Sequence, residues 1–217
     1  MVVIIPAYEP DESLIKLVQE IKFKTDYDVV IINDGSALNK QLLFSKVEEY
    51  AEVMEHTHNF GKGKSIKTAL KYIEDKYTDD VGIVVLDATV KYKYEDIIRV
   101  SKTIEINEDS LVLGSKQFTN NVLAKSKFGN TVMKSIFKYV PRFKFKDRQT
   151  RLRAFNAKLI PFLLKVPGDR YEYEMNVLLE CAKQKINIIK VPIDTIYVKN
   201  NEIPRFRGIR DFASSLL

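Results

Sequence analysis

Sulfur and imidazole are scarce in this chain of 217 residues, which holds one cysteine and two histidines. A lone cysteine rules out an intrachain disulfide and fits a reducing compartment. Cys181 lies in the apolar stretch Val177 to Ala182 and reads as a buried small hydrophobe, not a nucleophile. His56 and His58 have no Cys or carboxylate partner at ligand spacing and read as surface or turn residues. No apolar run approaches the ~18 residues of a membrane span. The chain opens directly on a strand at Met1 to Ile5, without a basic region or cleavage site, so no secretory leader is expected. Repeats and low-complexity tracts are absent. Two glycine motifs are missing as well. A Walker A loop needs Gly-x-x-x-x-Gly-Lys-Ser/Thr; Gly63-Lys64-Ser65 is present, but His58 stands where the first glycine belongs. Pro6-Ala7-Tyr8-Glu9 follows the first strand in place of a Gly-x-Gly-x-x-Gly turn, which argues against a dinucleotide-dependent dehydrogenase.

What is present is a chain 45% apolar and 29% charged, enough for one sizeable core. We divide it into a domain of residues 1–198 and a basic tail of 199–217. The net charge of +6 comes mostly from lysine. It fits a solvated surface, or attraction to an anionic partner such as a phosphorylated substrate or an acidic membrane face. No nucleic-acid partner is expected.

Short apolar runs alternate with helical periodicity. Val2 to Ile5 is a buried strand stopped by Pro6. A helix opens at Pro10 to Ser13 and carries Leu14, Leu17, Val18 and Ile21 at helical spacing. Val29 to Ile32 is a second strand, ending in the turn Asn33-Asp34-Gly35-Ser36. A helix from about Lys40 to Ala51 and a short strand at Val53 to His56 follow. Asn59 to Ser65 reads as a loop into a helix bearing Ile66, Ala69, Leu70 and Ile73. The run Gly82 to Leu86 ends abruptly in Asp87. Later come a helix at Asp96 to Ile104, a strand at Ser110 to Lys116, a polar mobile loop at Phe118 to Lys127 and an amphipathic helix at Phe128 to Tyr139. Asp147 to Phe155 is a charged stretch, Arg170 to Lys183 a helix, and Ile186 to Val191 a strand ending at Pro192.

This alternation implies βαβ units and a mostly parallel sheet flanked by helices. In such a sheet, ligands bind beyond the carboxyl ends of the strands. Three strand ends carry polar clusters: Pro6 to Glu9, Asn33 to Ser36 and Asp87 to Thr89. Their convergence on one edge marks the candidate site. An acid there can face a phosphate-bound metal, and the arginines of the 147–155 stretch suit phosphate recognition. Acids at Glu172 and Glu174 fit either a helix dipole or a catalytic role.

In order along the chain, Pro6-Ala7-Tyr8-Glu9, Asn33-Asp34-Gly35-Ser36, Asn59-x-Gly61-Lys62-Gly63, Leu86-Asp87-Ala88, Gly114-Ser115-Lys116, Phe128-Gly129-Asn130, Asp147-x-Gln149-Thr150-x-Leu152-Arg153 and Tyr171-Glu172-Tyr173-Glu174 form a series. With these landmarks the chain resembles the family 2 glycosyltransferases of the GT-A fold. It looks closest to the branch of dolichol- and polyprenyl-phosphate sugar transferases, whose catalytic domain is often fused to a membrane domain. The resemblance implies an α/β GT-A domain that moves a hexose, with inversion, from a nucleotide diphosphate sugar to a polyprenyl phosphate. The reaction would lie at the cytoplasmic membrane face, with a membrane-domain partner possible. Pro6, Ala7, Tyr8, Glu9, Asp34, Gly35, Ser36, Lys62, Asp87, Ala88 and Lys91 would bind the donor. Asp87 would carry Mg²⁺ or Mn²⁺ on its diphosphate. Lys116, Lys127, Thr131, Gln149 and Arg153 would meet the acceptor. Asp87, Asp147 and Glu174 are the candidate catalytic residues, with Glu172 the weaker alternative to Glu174. Arg205 to Asp211 resembles the family's segment at the membrane surface.

Three departures stand out. The family pattern reads Asp-Ala-Asp-x-Gln-His, and this chain reads Asp87-Ala88-Thr89-Val90-Lys91-Tyr92. The second metal carboxylate is therefore Thr89, and Lys91 is expected to supply the missing positive charge. Arg148 and Arg151 stand where Thr and Gly are usual, so a changed pocket is expected at Arg151. Lys116 replaces an arginine and keeps its charge but not its fork. These changes leave a second reading, a catalytically degenerate GT-A-like module that binds a nucleotide or a partner.

Overall fold

The computed structural model describes residues 1–116 and 151–194, Lys116 as backbone only. A seven-stranded sheet with the order β3-β2-β1-β4-β6-β5-β7 runs through it. The strands are β1 Val2–Ala7, β2 Asp28–Asn33, β3 Glu52–Glu55, β4 Gly82–Val85, β5 Ser110–Lys116, β6 Arg153–Asn156 and β7 Asn187–Ile193. β1 is parallel to β2 and β4, β2 to β3, and β5 to β7. β6 alone among the described strands runs antiparallel to its neighbours. The helices are α1 Ser13–Lys24, α2 Gln41–Val47, α3 Lys62–Lys76, α4 Tyr94–Glu105, α5 Ile160–Lys165 and α6 Glu172–Lys183.

Side chains alternate across a strand, and β1 is buried on both faces. Val3, Ile5 and Ala7 pack with Leu14, Val18 and Ile21 of α1, Phe44 of α2 and Ile97 and Val100 of α4. Val2 and Ile4 pack with Ile66, Leu70 and Ile73 of α3, Leu163 of α5 and Val177 and Cys181 of α6. The result is three layers, helices on both faces of the sheet. No helix among the described residues is long and apolar enough to cross a membrane.

Several boundaries differ from the sequence expectation. Pro6 does not stop β1; it pairs with Ile32. The Ile4 carbonyl accepts from Leu86 N, so even-numbered residues of β1 face β4, and that ladder ends at Ile4 and Val85. The N–H that Pro6 lacks is therefore on a side with no ladder to complete. Pro192 lies inside β7, at the sheet edge, where a missing donor is also tolerated. α3 starts at Lys62, inside the expected loop. α2 ends at Val47, earlier than expected, and α5 was not foreseen. The loop expected at Phe118 to Lys127 and the helix at Phe128 to Tyr139 lie outside the described residues, as does the tail of 199–217.

Candidate active site

Because β1 to β4 are parallel, the three polar strand ends do meet at one edge. Asp34 N donates to the Ala7 carbonyl at 2.8 Å. Glu9 N donates to Ser36 Oγ at 3.0 Å, and Glu9 Oε1 accepts from Ala37 N at 2.6 Å. Pro6 and Ala7 are buried, whereas Tyr8 is 52% exposed beside them. Gly35 turns the second loop with φ of 68°.

Asp34 is buried, and the protein itself uses its carboxylate. Oδ1 accepts from Phe60 N at 3.0 Å and lies 2.7 Å from His56 Nδ1, and Oδ2 accepts from Gly61 N at 2.8 Å. His56 Nε2 reaches Thr68 Oγ1 at 3.0 Å, and the imidazole stands edge-on to Phe60. The expectation of a surface His56 is thus corrected. The parallel register Asn33↔Glu55 sets the next residues, Asp34 and His56, side by side, a relation that ligand spacing along the chain cannot reveal. His58 is exposed, as expected.

Asp34 thereby anchors the start of α3. Gly61 has φ of 106°, and a Cβ there would lie 2.6 Å from the Asp169 carbonyl oxygen. At Gly63 a Cβ would lie 2.5 Å from Tyr173 Cβ. The two glycines let the first turn of α3 press against the segment leading into α6, where Lys64 N donates to the Asp169 carbonyl at 2.8 Å. Lys62, between them, is aimed at two carboxylates: its Nζ lies 3.4 Å from Asp87 Oδ2 and 3.0 Å from Glu174 Oε1.

Two arginines complete the cluster. β6 runs antiparallel, so its start meets the end of β4, with Arg153 opposite Val85. The buried Arg153 guanidinium has Nε 3.5 Å from Glu174 Oε1 and donates to the Glu174 carbonyl at 2.9 Å. Arg151 lies 3.5 Å from Asp87 Oδ2 and donates to Thr89 Oγ1 at 3.3 Å. Thr89 donates to Asp87 Oδ1 through its amide at 3.0 Å and its hydroxyl at 2.7 Å. Tyr92 stitches the two segments: its hydroxyl accepts from Asp87 N at 2.9 Å and donates to the Arg151 carbonyl at 2.8 Å.

Three cations therefore surround two carboxylates. Burial pushes the Asp87 carboxyl up, but Lys62, Arg151 and the Thr89 hydrogen bonds outweigh it and hold it at about 2. Burial also works against the Glu174 carboxylate, and Lys62 and Arg153 overcome it, so its pKa falls. Burial opposes the charge of Lys62, yet Glu174 and Asp87 raise its pKa. All three stay ionised at neutral pH.

Lys91 is exposed, between the buried Val90 and Tyr92, and is not one of the cations at the Asp87 carboxylate. Among the described residues, the cations within 4 Å of the Asp87 carboxylate are Lys62 and Arg151. Glu172 closes the turn before α6, where its Oε1 accepts from Asp169 N and Arg170 N, both at 3.0 Å. Ala88 is buried next to Asp87. Lys127, Thr131, Asp147, Arg148 and Gln149 lie outside the described residues. The sequence reading missed the link between Arg151 and Asp87, the role of Tyr92 and the His56–Asp34 contact. Its one clue was that Thr89 and Arg151 are both among the departures from the family pattern.

The donor set around Asp87 does not fit a divalent ion as it stands. Hard cations such as Mg²⁺ take about six oxygen ligands. Here both Asp87 oxygens are engaged by Thr89, Lys62 and Arg151. Among the described residues, no group of three His, Cys, Asp or Glu could hold a metal ion.

The family model for glycosyl transferase family 2 matches residues 2–162. The chain belongs to this family. It is 28% identical, over 90% of its length and 85% of the relative's, to the UDP-N-acetylglucosamine–dolichyl-phosphate N-acetylglucosaminyltransferase of Methanococcus voltae. Its fold matches glucosyl-3-phosphoglycerate synthase from Mycobacterium tuberculosis, solved with Mn²⁺, UDP and glucosyl-3-phosphoglycerate. That match has a TM-score of 0.65 at 13% identity and covers 98% of this chain and 74% of the other. A mannosyltransferase from Pyrobaculum calidifontis, solved with GDP-Man and Mn²⁺, matches with a TM-score of 0.56 at 19% identity, over 88% of this chain and 54% of the other. This family 2 glycosyltransferase thus has the GT-A fold, and the solved neighbours carry a divalent metal that its own Asp87 cluster does not accommodate as arranged.

Proposed function

We propose that this glycosyltransferase moves a hexose from a nucleotide diphosphate sugar to a polyprenyl phosphate, with inversion, at the cytoplasmic face of a membrane. The observation that carries the reading is the state of Glu174. In transfer to a hydroxyl, a side chain must remove a proton, and a base works best with a pKa near the operating pH. Glu174 is instead held as a carboxylate between Lys62 and Arg153, with its pKa lowered. That makes it a weak base. A phosphate acceptor is already an anion and needs none. Its oxygen would attack the anomeric carbon as the bond from that carbon to the diphosphate oxygen breaks. The bonding pair would leave on the diphosphate, so catalysis is positioning plus stabilisation of departing charge. The dolichyl-phosphate relative supports this class of acceptor. The loops at Pro6 to Glu9 and Asn33 to Ser36 would receive the nucleoside, Asp34 acting by shaping them. Lys116, Lys127, Thr131, Gln149 and Arg153 would face the acceptor, and Asp147 would lie over the pocket between the two substrates.

The test is incubation of the chain with radiolabelled UDP- and GDP-hexoses and a polyprenyl phosphate, followed by organic extraction. Label in the lipid fraction, made by wild type and lost in Asp87→Asn, is expected. Label that passes only to soluble hydroxyl acceptors would sink the lipid reading.

A further inference from the structure

We infer that Lys62 and Arg151 take the place of a divalent metal at Asp87, so that a nucleoside diphosphate binds here without one. This rests on the donor reading above and specifies how that site meets its ligand. The oxygen atoms that a metal would need are already committed. Asp87 Oδ1 accepts two bonds from Thr89, and Oδ2 faces Lys62 Nζ at 3.4 Å and Arg151 at 3.5 Å. A metal entering there would have to displace two cations and would meet one carboxylate.

The charges favour an anion instead. Lys62, Arg151 and Arg153 outnumber Asp87 and Glu174 by one positive charge, in a cluster whose side chains are between 6% and 32% exposed. Cations in so dry a place interact strongly with a polyphosphate. An ammonium has three N–H donors. Two on Lys62 are directed at Asp87 and Glu174, and the third remains for a ligand oxygen. A guanidinium presents a fork that suits phosphate.

Thr89 and Arg151 belong together in this account. Arg151 donates to the hydroxyl of Thr89 and reaches the carboxylate that Thr89 also holds. A carboxylate at 89 would draw Arg151 to itself and bring a second acid beside Asp87. The hydroxyl instead keeps Arg151 directed at Asp87. Two of the positions that depart from the family pattern, Thr89 and Arg151, are therefore in contact with each other and with Asp87.

Calorimetric titration of the purified full chain with UDP and with GDP, in EDTA and then in Mn²⁺, tests this. Metal-free binding is expected, with a dissociation constant within about twofold of that in Mn²⁺. Lys62→Gln should weaken it by about tenfold or more, and Lys62→Arg, which keeps the charge, by far less. Thr89→Asp combined with Arg151→Gly should acquire Mn²⁺ binding, read from loss of the free-ion EPR signal. Binding that vanishes in EDTA and returns with Mn²⁺ overturns the inference and leaves the donor reading standing. No binding of either nucleotide under either condition overturns both. The wild-type comparison needs no variant, so a Lys62→Gln protein that fails to fold leaves the test intact.

Discussion

Asp87 and Glu174 answer to the same lysine, and this sets how the protein meets acid. The ordinary Asp value of 3.8 falls to about 2 at Asp87. A carboxyl whose folded pKa is depressed adds stability above its unfolded value and loses it as pH falls through the folded one. Asp87 therefore contributes on the order of 2 kcal/mol at neutral pH, lost between about pH 4 and pH 2. Glu174 shifts in the same direction. Urea denaturation across that range should show a midpoint that drops with acid, and Asp87→Asn should flatten the drop. An unchanged slope in the variant would mean that Asp87 is not held by its cations. At this scale the sequence named Asp87, Lys62, Arg153 and Glu174 individually. Their grouping was hidden because Lys62 and Glu174 come from two helices far apart in the chain. Lys91 drew notice because it is near Asp87 in sequence, whereas the cations that reach the Asp87 carboxylate, Lys62 and Arg151, come from distant segments.

At the scale of elements, α3 is the part that the site depends on. Its first turn is fastened by Asp34 and pressed against the start of α6. Helix propensity alone would favour alanine over Gly63 by about 1 kcal/mol. The Cβ would meet Tyr173 Cβ at 2.5 Å and the Asp169 backbone at 2.9 Å, and such overpacking costs about 1–3 kcal/mol. The clash wins, so Gly63→Ala should lower Tm by about 2–4 °C per kcal/mol of net loss, and nucleotide affinity should fall with it as Lys62 is displaced. A variant that melts at or above wild type would refute the close approach. The glycines were visible in the sequence as a loop motif. Their purpose was not, because it depends on a segment about a hundred residues later. Strands were legible wherever apolar runs were long. β6 was harder to read, since four residues that begin with an arginine resemble a solvated charged stretch.

For the whole molecule, charge and architecture point the same way. The net charge of +6 and the basic tail should draw the protein to anionic lipid. Flotation with phosphatidylglycerol vesicles is expected at low salt, and release as salt rises, because the screening length is only about 10 Å at 0.1 M. Phosphatidylcholine vesicles should leave the protein behind. Equal binding to both lipids, or to neither, would contradict a membrane-surface enzyme. The three-layer α/β plan and the convergence of polar loops on one sheet edge were both legible, since parallel strands can present their ends in only one way. The reversed direction of β6 was not, and it is what brings the arginines to that edge.

That reversal has a consequence for how the chain finds its fold. Strand β6 is short, and all four of its residues are buried. Arg153 and Phe155 belong to one face of the sheet and Ala154 to the other. A slip of one position would exchange the faces and set alanine beside Glu174 in place of the guanidinium. Glu174 would keep Lys62, but the guanidinium would be carried to the other, apolar face of the sheet, and a buried charge without its partner costs about 3–5 kcal/mol. The Arg153–Glu174 pair is thus a registration mark: it makes the misaligned sheet the expensive one.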